Sequence, residues 1–527
     1  MDACIAETVS TSEGTPATAL SSKDGGARWL SCAFVCVVGI GILWRIVRYA
    51  FQFPIWGDEA MLLLNILERD YAGLTQHLRL AQVAPLFFLW LEKTALLTLG
   101  PSEASMHLLP FLAGLVSLLV FWQLCRTSFS PTLAGLAVAV LAVSYYPMRH
   151  SAEVKPYAFD LLYAAVYAWL TLGHLRAPTS ARWLIALTVV TPIAVFSSYP
   201  SVFVGGAVSL VLLPRMWKGS WPQRGLYVLF TVMLCGSFLV HLLCVGREQV
   251  DAASAQQTRE FLREYWKDAF PPESVAQWPL WLLKVFTGNM LAYPVGANHG
   301  GSTLTFLLVL LGSFALWRQG ERALLALCWL PFALNLVAAM FDKYPFGDSA
   351  RITLHLAPFI CILMAHGTIH ALEWTCTPDW RARCQLGLYA ILFSLGVIGI
   401  ARDMVKPYKT EHDREVRRVV LELHHQVAAG EPVYLCHQRD EELLAEFLWY
   451  MRTQSAPVDW LPATPLPPTT QSCWLVLCSH QEVDVANLAA LVGPTGWRMR
   501  CSEMRLVPPE NAKMSPVYCR WAHFVRE

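Results

Sequence analysis

Long apolar runs recur through the first 400 residues of this 527-residue chain, and they restrict its fold more than any other feature. A helix needs about 20 mostly apolar residues to cross the hydrocarbon layer of a membrane. Twelve runs approach that length: residues 29–48, 85–99, 104–125, 131–147, 157–174, 182–198, 199–213, 226–245, 302–317, 323–340, 352–371 and 385–401. Only 15% of all residues are charged, against about 25% in soluble domains. The sequence therefore predicts an all-α polytopic membrane protein.

One of the twelve runs carries charge at its centre. Residues 85–99 contain the pair Glu92-Lys93, and each charge at the bilayer centre costs about 2.5–3.5 kcal/mol on insertion scales. We therefore predict that this run is a helix lying at the membrane interface. About eleven spanning helices remain.

The basic residues predict the orientation. With the chain start inside, five inner loops carry Arg or Lys, as the positive-inside rule requires. These loops are residues 126–130, 175–181, 214–225, 318–322 and 372–384. Arg45 and Arg48, just outside the first span, are exceptions. The topology predicts a disordered cytoplasmic tail over 1–28, a membrane domain over 29–402 and a soluble extracytoplasmic domain over 403–527.

The last part of the chain has the composition of an ordinary soluble domain. A helical stretch between two apolar segments, near residues 431–437 and 473–478, predicts a small α/β domain. Its five cysteines would lie in an oxidising compartment, where one or two disulfides can form, and the sequence does not indicate their pairing. They are Cys436, Cys473, Cys478, Cys501 and Cys519. The net charge of the chain is only +1, so we expect no nucleic-acid partner.

The first outward loop contains two adjacent acids, Asp58 and Glu59, at the start of an amphipathic stretch. One interpretation is structural, because acids at a helix start cap it and favour its positive end. The other is catalytic. A carboxylate at the membrane face can act as a general base, while its neighbour raises its pKa or helps to bind a metal.

The second outward piece is a dense charge cluster directly before a spanning run. Pro156 suits the first position of that helix, which places Lys155 beside exposed backbone N–H groups and favours an anionic phosphate there. Arg149 and Glu153 share a face if the turn is helical. The structural alternative is a belt in which Arg149 and Lys155 reach lipid headgroups. Asp160, one turn further on, is predicted to be a structural acid.

The third outward piece runs from Phe341 to Arg351. Arg351 could clamp a phosphate or a carboxylate, although a lone arginine there more often contacts headgroups. His355 and His366 lie on apolar helices and are predicted to be satisfied buried polar groups. The long loop 246–301 contains a charged helical stretch followed by Trp278 and Trp281, a pattern typical of interfacial helices or of a cover over a site.

These pieces, in this order and on this topology, resemble the GT-C superfamily of polytopic glycosyltransferases. Within it, the nearest branch holds protein O-mannosyltransferases and the lipid A aminoarabinose transferase. The resemblance covers about residues 29–400 and rests on Trp56-Gly-Asp58-Glu59, on the segment from Ala84-Pro85 to Gly100, on Tyr145 through Glu153-Val-Lys155-Pro-Tyr157, and on Arg351 with Pro358. Relatives often show His-Pro-Pro or Lys-Pro-Pro where this chain has Val83-Ala84-Pro85. No metal ligand is therefore assigned, although a divalent metal is possible, and Gln82 is a candidate polar substitute.

The resemblance implies transfer of a sugar from a polyprenyl-phosphate donor to a glycan, lipid or protein acceptor at the outer face of the membrane, with inversion. It implies that Asp58 is the catalytic base and that Glu59 assists or orients it. Lys155 and Arg351, with Arg149, would hold the donor phosphate. The remaining predicted site residues, which position the substrate, are Glu153, Tyr157, Tyr344 and Gln82.

Two other functions compete with this one. A transporter or flippase for a lipid-linked saccharide would also have many helices, but it typically places polar residues or broken helices at the midplane, often in repeated halves. Here the outward charges cluster at the membrane surface, and no internal repeat is visible. An inactive relative that only binds lipid-linked glycans is the other alternative.

Overall fold

The structure is a computed structural model. It describes residues 18–246, 266–296, 300–407, 410–436, 441–454, 457–460, 470–482, 496–509 and 516–526, together with a few single positions between 484 and 491. Part of the charged stretch predicted in the loop 246–301 lies outside these residues.

The described membrane part consists of helices and the turns that connect them. The helices are α1 (Thr18–Ala50), α2 (Gly57–Glu68), α3 (Leu86–Leu99), α4 (Glu103–Ser128), α5 (Pro131–Val143), α6 (Tyr145–Arg149), α7 (Tyr157–Arg176), α8 (Arg182–Ser197), α9 (Ser201–Met216), α10 (Trp221–Val240), α11 (Trp278–Thr287), α12 (Gly301–Arg318), α13 (Arg322–Met340), α14 (Ala357–Thr375) and α15 (Pro378–Val405). Gly312 and Gly367 let the backbones of α12 and α14 touch, since a Cβ at either position would overlap a backbone carbonyl. Small residues are typical of such close membrane-helix contacts.

The predicted spans correspond to three kinds of helix. Within the described residues, eight helical segments are long and apolar enough to cross a membrane. The pair α5 and α6, bent by 57°, can form a ninth span. Two shorter apolar helices, α8 and α9, account for the two remaining predicted runs. The length of α8 and α9, 16 residues each, is below the usual span.

The first helix begins earlier than predicted. α1 starts at Thr18 rather than at Trp29, so residues 18–28 are helical and not part of a disordered tail. A helix that is already nucleated gains one hydrogen bond for each further residue, which favours its extension. Residues 1–17 lie outside the described part of the chain.

Helix α3 is short, as predicted, but its two charges do not face the membrane surface. Glu92 and Lys93 are both buried. Lys93 Nζ donates to the carbonyl oxygens of Ile66 at 2.8 Å and of Leu67 at 3.4 Å. These carbonyls belong to the last turn of α2, where backbone acceptors have no partner within the helix. The lysine therefore caps α2.

The two basic exceptions to the predicted topology are buried inside the protein. Arg48 Nη1 lies 3.0 Å from Asp403 Oδ1, and the Trp44 indole donates to the other oxygen of Asp403 at 2.6 Å. Arg45 Nη1 donates to the carbonyl of Ala142 at 2.6 Å. Both arginines therefore bind protein groups, and neither is a loop charge of the kind that the positive-inside rule counts.

The candidate site residues lie at one end of the helix bundle. Asp58 follows the end of α1, Lys155 precedes α7 and Arg351 precedes α14. The chain leaves α15 at this same end and enters the C-terminal domain. The five basic turns connect the opposite helix ends, so the site and the C-terminal domain share the side that the charge pattern predicts to be extracytoplasmic.

The described residues of the C-terminal domain form a five-stranded sheet and two helices. They are α16 (Thr410–Gln426), β1 (Val433–Leu435), α17 (Glu441–Thr453), β2 (Val458–Trp460), β3 (Ser472–Ser479), β4 (Trp497–Val507) and β5 (Val517–Arg526). The strand order is β2-β1-β3-β5-β4, with β1 parallel to β2 and β3 and with antiparallel pairs elsewhere. The predicted strand, helix and strand are β1, α17 and β3. Cys478 and Cys519 face each other across β3 and β5, and their Sγ atoms are 3.0 Å apart.

The domain docks on the helix that carries Asp58. Tyr450 of α17 accepts a hydrogen bond from the backbone N–H of Ile55 at 2.9 Å. Arg452 of α17 forms an ion pair with Glu68 at the other end of α2. Contacts near both ends of α2 therefore fix this helix against the C-terminal domain.

Candidate active site

Four predicted site residues from distant parts of the chain meet at the start of α2. Lys155 Nζ donates to Asp58 Oδ1 at 2.9 Å and to Gln82 Oε1 at 2.8 Å. Gln82 Nε2 lies 3.5 Å from Asp58 Oδ1, and Arg351 Nη1 lies 3.9 Å from Asp58 Oδ2. One acid is therefore flanked by two cations and an amide. The Asp58 side chain is 24% exposed, which leaves it accessible to a substrate.

The surroundings keep Asp58 ionised. Burial raises the pKa of its carboxyl group, but the charges of Lys155 and Arg351 and the hydrogen bonds from Lys155 and Gln82 outweigh burial, so the pKa is lowered. At neutral pH Asp58 is a carboxylate, which is the protonation state that a general base requires.

Glu59 faces a different direction from Asp58. Its carboxylate accepts hydrogen bonds from the backbone N–H groups of Val154 and, at 3.3 Å, Trp56. His107 Nε2 on α4 lies 3.2 Å from Glu59 Oε1. Glu59 therefore joins α2, α4 and the turn before α7. Its position supports an orienting role, since Val154 directly precedes Lys155.

Arg149 and Glu153 hold that turn together. As predicted for a helical turn, they pair with each other, with Arg149 Nε 2.9 Å from Glu153 Oε1. His150 Nδ1 lies 2.6 Å from the other oxygen. Burial raises the pKa of Glu153, but the charges of His150 and Arg149 and the hydrogen bond from His150 outweigh burial, so the pKa is lowered and Glu153 is ionised.

Arg149 lies on the inner side of this turn. It lines a cavity of about 30 Å³ together with Glu59, Glu153 and His107. Arg149, which was predicted to bind phosphate, therefore lies with the residues that support the turn. Pro156 was predicted to be the first residue of α7. It lies directly before that residue, which is Tyr157.

An aromatic side chain that sequence reasoning missed holds Arg351. The guanidinium of Arg351 lies over the ring of Trp266, 4.9 Å from its centroid. Such a contact restricts the direction of the guanidinium and stabilises its charge. Trp266 belongs to the charged stretch between residues 246 and 301, for which the sequence left interfacial helices and a cover over a site as alternatives.

The predicted tyrosines lie beside this cluster. Tyr344 donates from its hydroxyl to the carbonyl of Ile352 at 2.9 Å, within the 3-10 turn Ala350–Leu356 that carries Arg351. Burial raises the pKa of Tyr344, and the nearby charges of Asp160 and Tyr157 raise it further. Tyr157 itself contacts the ring of His150, with centroids 5.3 Å apart. Tyr344, Tyr157 and Asp160 are therefore neighbours.

The buried histidines differ from the sequence prediction. His355 and His366 are on apolar segments as expected, but they are not satisfied. Among the described residues, neither ring nitrogen of His355 has a hydrogen-bond partner, and neither does Nε2 of His366. Sequence reasoning assumed that a buried histidine is hydrogen-bonded, which is the usual case.

Lys155 and Arg351 lie within 3.9 Å of the Asp58 carboxylate, and their positive charges repel a divalent metal there. The Glu59 oxygens face backbone N–H groups and His107. Within the described part of the chain, one group of three metal-ligating side chains has its ligand atoms within 4.8 Å of one another. It consists of His412, Asp413 and Glu446, on α16 and α17.

A bundle of membrane helices carries an acid and two cations at one end, with the C-terminal domain beside them. Residues 83–241, which include Lys155, match the sequence profile of the dolichyl-phosphate-mannose-protein mannosyltransferase family. No curated protein matches the chain. These findings confirm the resemblance seen in the sequence.

The fold is similar to that of ArnT from Cupriavidus metallidurans over nearly the whole of both chains. The crystal structure of that protein bound to undecaprenyl phosphate gives a TM-score of 0.55 at 13% identity, covering 95% of this chain and 98% of that chain. Its apo structure gives a TM-score of 0.52 at 12% identity, with the same coverage. The likeness therefore extends to the C-terminal domain.

Proposed function

We propose that this protein transfers a sugar from a polyprenyl-phosphate carrier to an acceptor at the outer face of the membrane, with inversion at the anomeric carbon. The arrangement of Asp58, Lys155 and Arg351 at the ends of the membrane helices carries the proposal. The fold likeness to a protein that binds undecaprenyl phosphate supports a lipid-linked donor.

Asp58 acts as the general base in this mechanism. Its carboxylate accepts the proton of the acceptor hydroxyl while the acceptor oxygen forms a bond to the anomeric carbon. The bond between that carbon and the phosphate oxygen breaks, and its electron pair stays on the phosphate. A single displacement of this kind inverts the anomeric carbon and releases polyprenyl phosphate.

Lys155 and Arg351 stabilise the leaving group. Negative charge develops on the bridging phosphate oxygen in the transition state, and fixed cations at that point lower the barrier. The same cations lower the pKa of Asp58. A bound phosphate that takes hydrogen bonds from Lys155 therefore weakens the stabilisation of the Asp58 carboxylate and makes it a stronger base. The donor itself would activate the base.

The other predicted residues support this arrangement. Gln82 accepts a hydrogen bond from Lys155 at 2.8 Å and holds its amine beside Asp58. Glu59, Arg149 and Glu153 fix the turn that presents Lys155. Tyr157 and Tyr344 lie next to it, and Tyr344 holds the turn that carries Arg351 through Ile352. A long isoprenoid chain stays in the membrane, which explains a site at the helix ends.

Transfer of radiolabel from polyprenyl-phosphate-linked hexoses and pentoses tests the proposal. Membranes that contain the protein are expected to move label from one donor to an acceptor, and membranes without it are not. NMR of the product is expected to show the anomeric configuration opposite to that of the donor. Movement of labelled lipid across sealed vesicles without any glycosylated product would instead identify a flippase.

A further inference from the structure

A second set of polar groups is buried near the cluster at Asp58, in α7, around the start of α9 and in the 3-10 turn before α14. Both ring nitrogens of His355, Asp160 Oδ1 and Ser201 Oγ are buried without a hydrogen-bond partner among the described residues. Asp160 lies next to Ser198, but their contact does not complete a hydrogen bond of ordinary geometry, and Ser198 Oγ is also buried without a partner.

These groups lie around one aromatic contact. Phe203, in the first turn of α9, lies with its ring centroid 5.4 Å from that of Tyr344 and 5.9 Å from that of His355. The Tyr344 and His355 rings are 6.3 Å apart. Asp160 on α7 is close enough to Tyr344 to affect its titration. The set therefore lies between α7, the start of α9 and the 3-10 turn that carries Arg351.

Buried polar groups without partners are unusual and costly. Most buried side-chain polar atoms in proteins are hydrogen-bonded, and each exception needs an explanation. The cost is higher in an apolar surrounding, because neither water nor a high dielectric compensates for the missing bond. A binding site explains such groups, because they form their hydrogen bonds when the ligand is bound.

We infer that Asp160, Ser198, Ser201 and His355 form a subsite for the hydroxyl groups of the donor sugar. A sugar ring offers several donors and acceptors, which match a carboxylate, two hydroxyls and an imidazole. Lys155 and Arg351 would hold the phosphate at the outer edge, and the subsite would hold the ring attached to it. This inference rests on the proposed function, since it assumes a sugar donor.

Two histidines on the same membrane segment provide a matched test. His355→Leu removes the unpartnered nitrogens with little change in volume. His366→Leu makes the same change on α14, the helix that follows the turn containing His355. There the ring packs against Phe129. Purified full-length protein is assayed with the polyprenyl-phosphate sugar that supports wild-type transfer. Polyprenyl phosphate without sugar is the competing inhibitor.

We expect His355→Leu to lower kcat/KM for the donor at least tenfold. The midpoint of thermal unfolding is expected to stay equal or rise, since a buried unsatisfied group is removed. Inhibition by bare polyprenyl phosphate is expected to stay unchanged, since it lacks the sugar. His366→Leu is expected to retain wild-type kcat/KM. Ser201→Ala is expected to lower kcat/KM for the donor by a smaller factor. Like His355→Leu, it is expected to leave inhibition by bare polyprenyl phosphate unchanged.

Three results would overturn the inference. An unchanged kcat/KM in both His355→Leu and Ser201→Ala would show that these groups do not contact the sugar. An equal loss of affinity for the donor and for bare polyprenyl phosphate would show that the set supports the phosphate site. Absence of transfer by the wild type with every donor would overturn the proposed function, and this inference with it.

Discussion

Replacement of Lys155 by methionine separates its two effects, on the donor phosphate and on Asp58. Lys155 Nζ lies 2.9 Å from Asp58 Oδ1, and its side chain is only 8% exposed. At an effective dielectric constant of 20, such a pair attracts by about 6 kcal/mol before desolvation is subtracted. Loss of one charge-stabilising donor in a transition state costs about 2.7–4 kcal/mol. We therefore expect kcat to fall by about 10²–10³-fold.

The pH dependence of the remaining activity tests the second effect. Lys155 lowers the pKa of Asp58, so its removal raises that pKa. A base must be deprotonated, and its activity is lost as the pH falls through its pKa. The acidic limb of the kcat/KM profile is therefore expected to move to higher pH in Lys155→Met. The measurement is initial transfer rate over a pH series with saturating acceptor.

Lys284→Met is the matched control. Lys284 forms an ion pair of almost the same length, 3.0 Å to Asp268, but its side chain is 67% exposed. Exposed pairs contribute about 0–1 kcal/mol to stability, so wild-type rates are expected. The reasoning would be refuted if Lys155→Met retained wild-type kcat, or if its acidic limb stayed in place or moved to lower pH.

Trp266→Ala is expected to lower kcat/KM about two- to thirtyfold, since the ring contact of Arg351 contributes about 0.5–2 kcal/mol. A kcat/KM equal to that of the wild type would show that Trp266 does not support the site. Glu153→Gln is expected to destabilise the fold by about 3–5 kcal/mol at pH 7, because it breaks a buried ion pair. The lowered pKa of Glu153 stabilises the fold above its ordinary pKa of 4.5 and ceases to do so as the pH falls. Thermal melts of Glu153→Gln should therefore show a weaker decline below pH 4.5 than the wild type, and parallel curves would contradict this. Cys478 and Cys519 are expected to form a disulfide in cells, seen by mass spectrometry of non-reduced peptides, because their sulfurs are adjacent and the domain is predicted to be extracytoplasmic. Two freely alkylated thiols would contradict that location.

Hydropathy and charge predicted the fold well, because a membrane imposes simple rules on a sequence. The cost of placing polar groups in hydrocarbon sets the length of the spans and the charge of the loops. The same cost led to the prediction that residues 85–99 do not span the membrane. The pair Arg48 and Asp403 was not foreseeable, since the two residues are 355 positions apart and only packing joins them. Arg48 therefore looked like an exception in the sequence and is a buried ion pair in the structure.

The site was predictable where local motifs carry the chemistry. Asp58, Lys155 and Arg351 stand next to helix ends, and the topology alone brings such positions to one side. Contacts made by single side chains were not predictable. The contacts of His107 with Glu59 and of Trp266 with Arg351 join residues that are far apart in the sequence. Nor can a sequence show that His355 lacks a hydrogen-bond partner.

The central claim is that Asp58 accepts the proton of the acceptor in sugar transfer, and Asp58→Asn tests it most directly. The asparagine keeps the size of the side chain and cannot act as a base. Asp268→Asn, at an exposed acid paired with Lys284, is the matched control. With equal amounts of protein, we predict that label transfer from the active donor is lost in Asp58→Asn and retained in Asp268→Asn. Transfer at the wild-type rate by Asp58→Asn would contradict the mechanism.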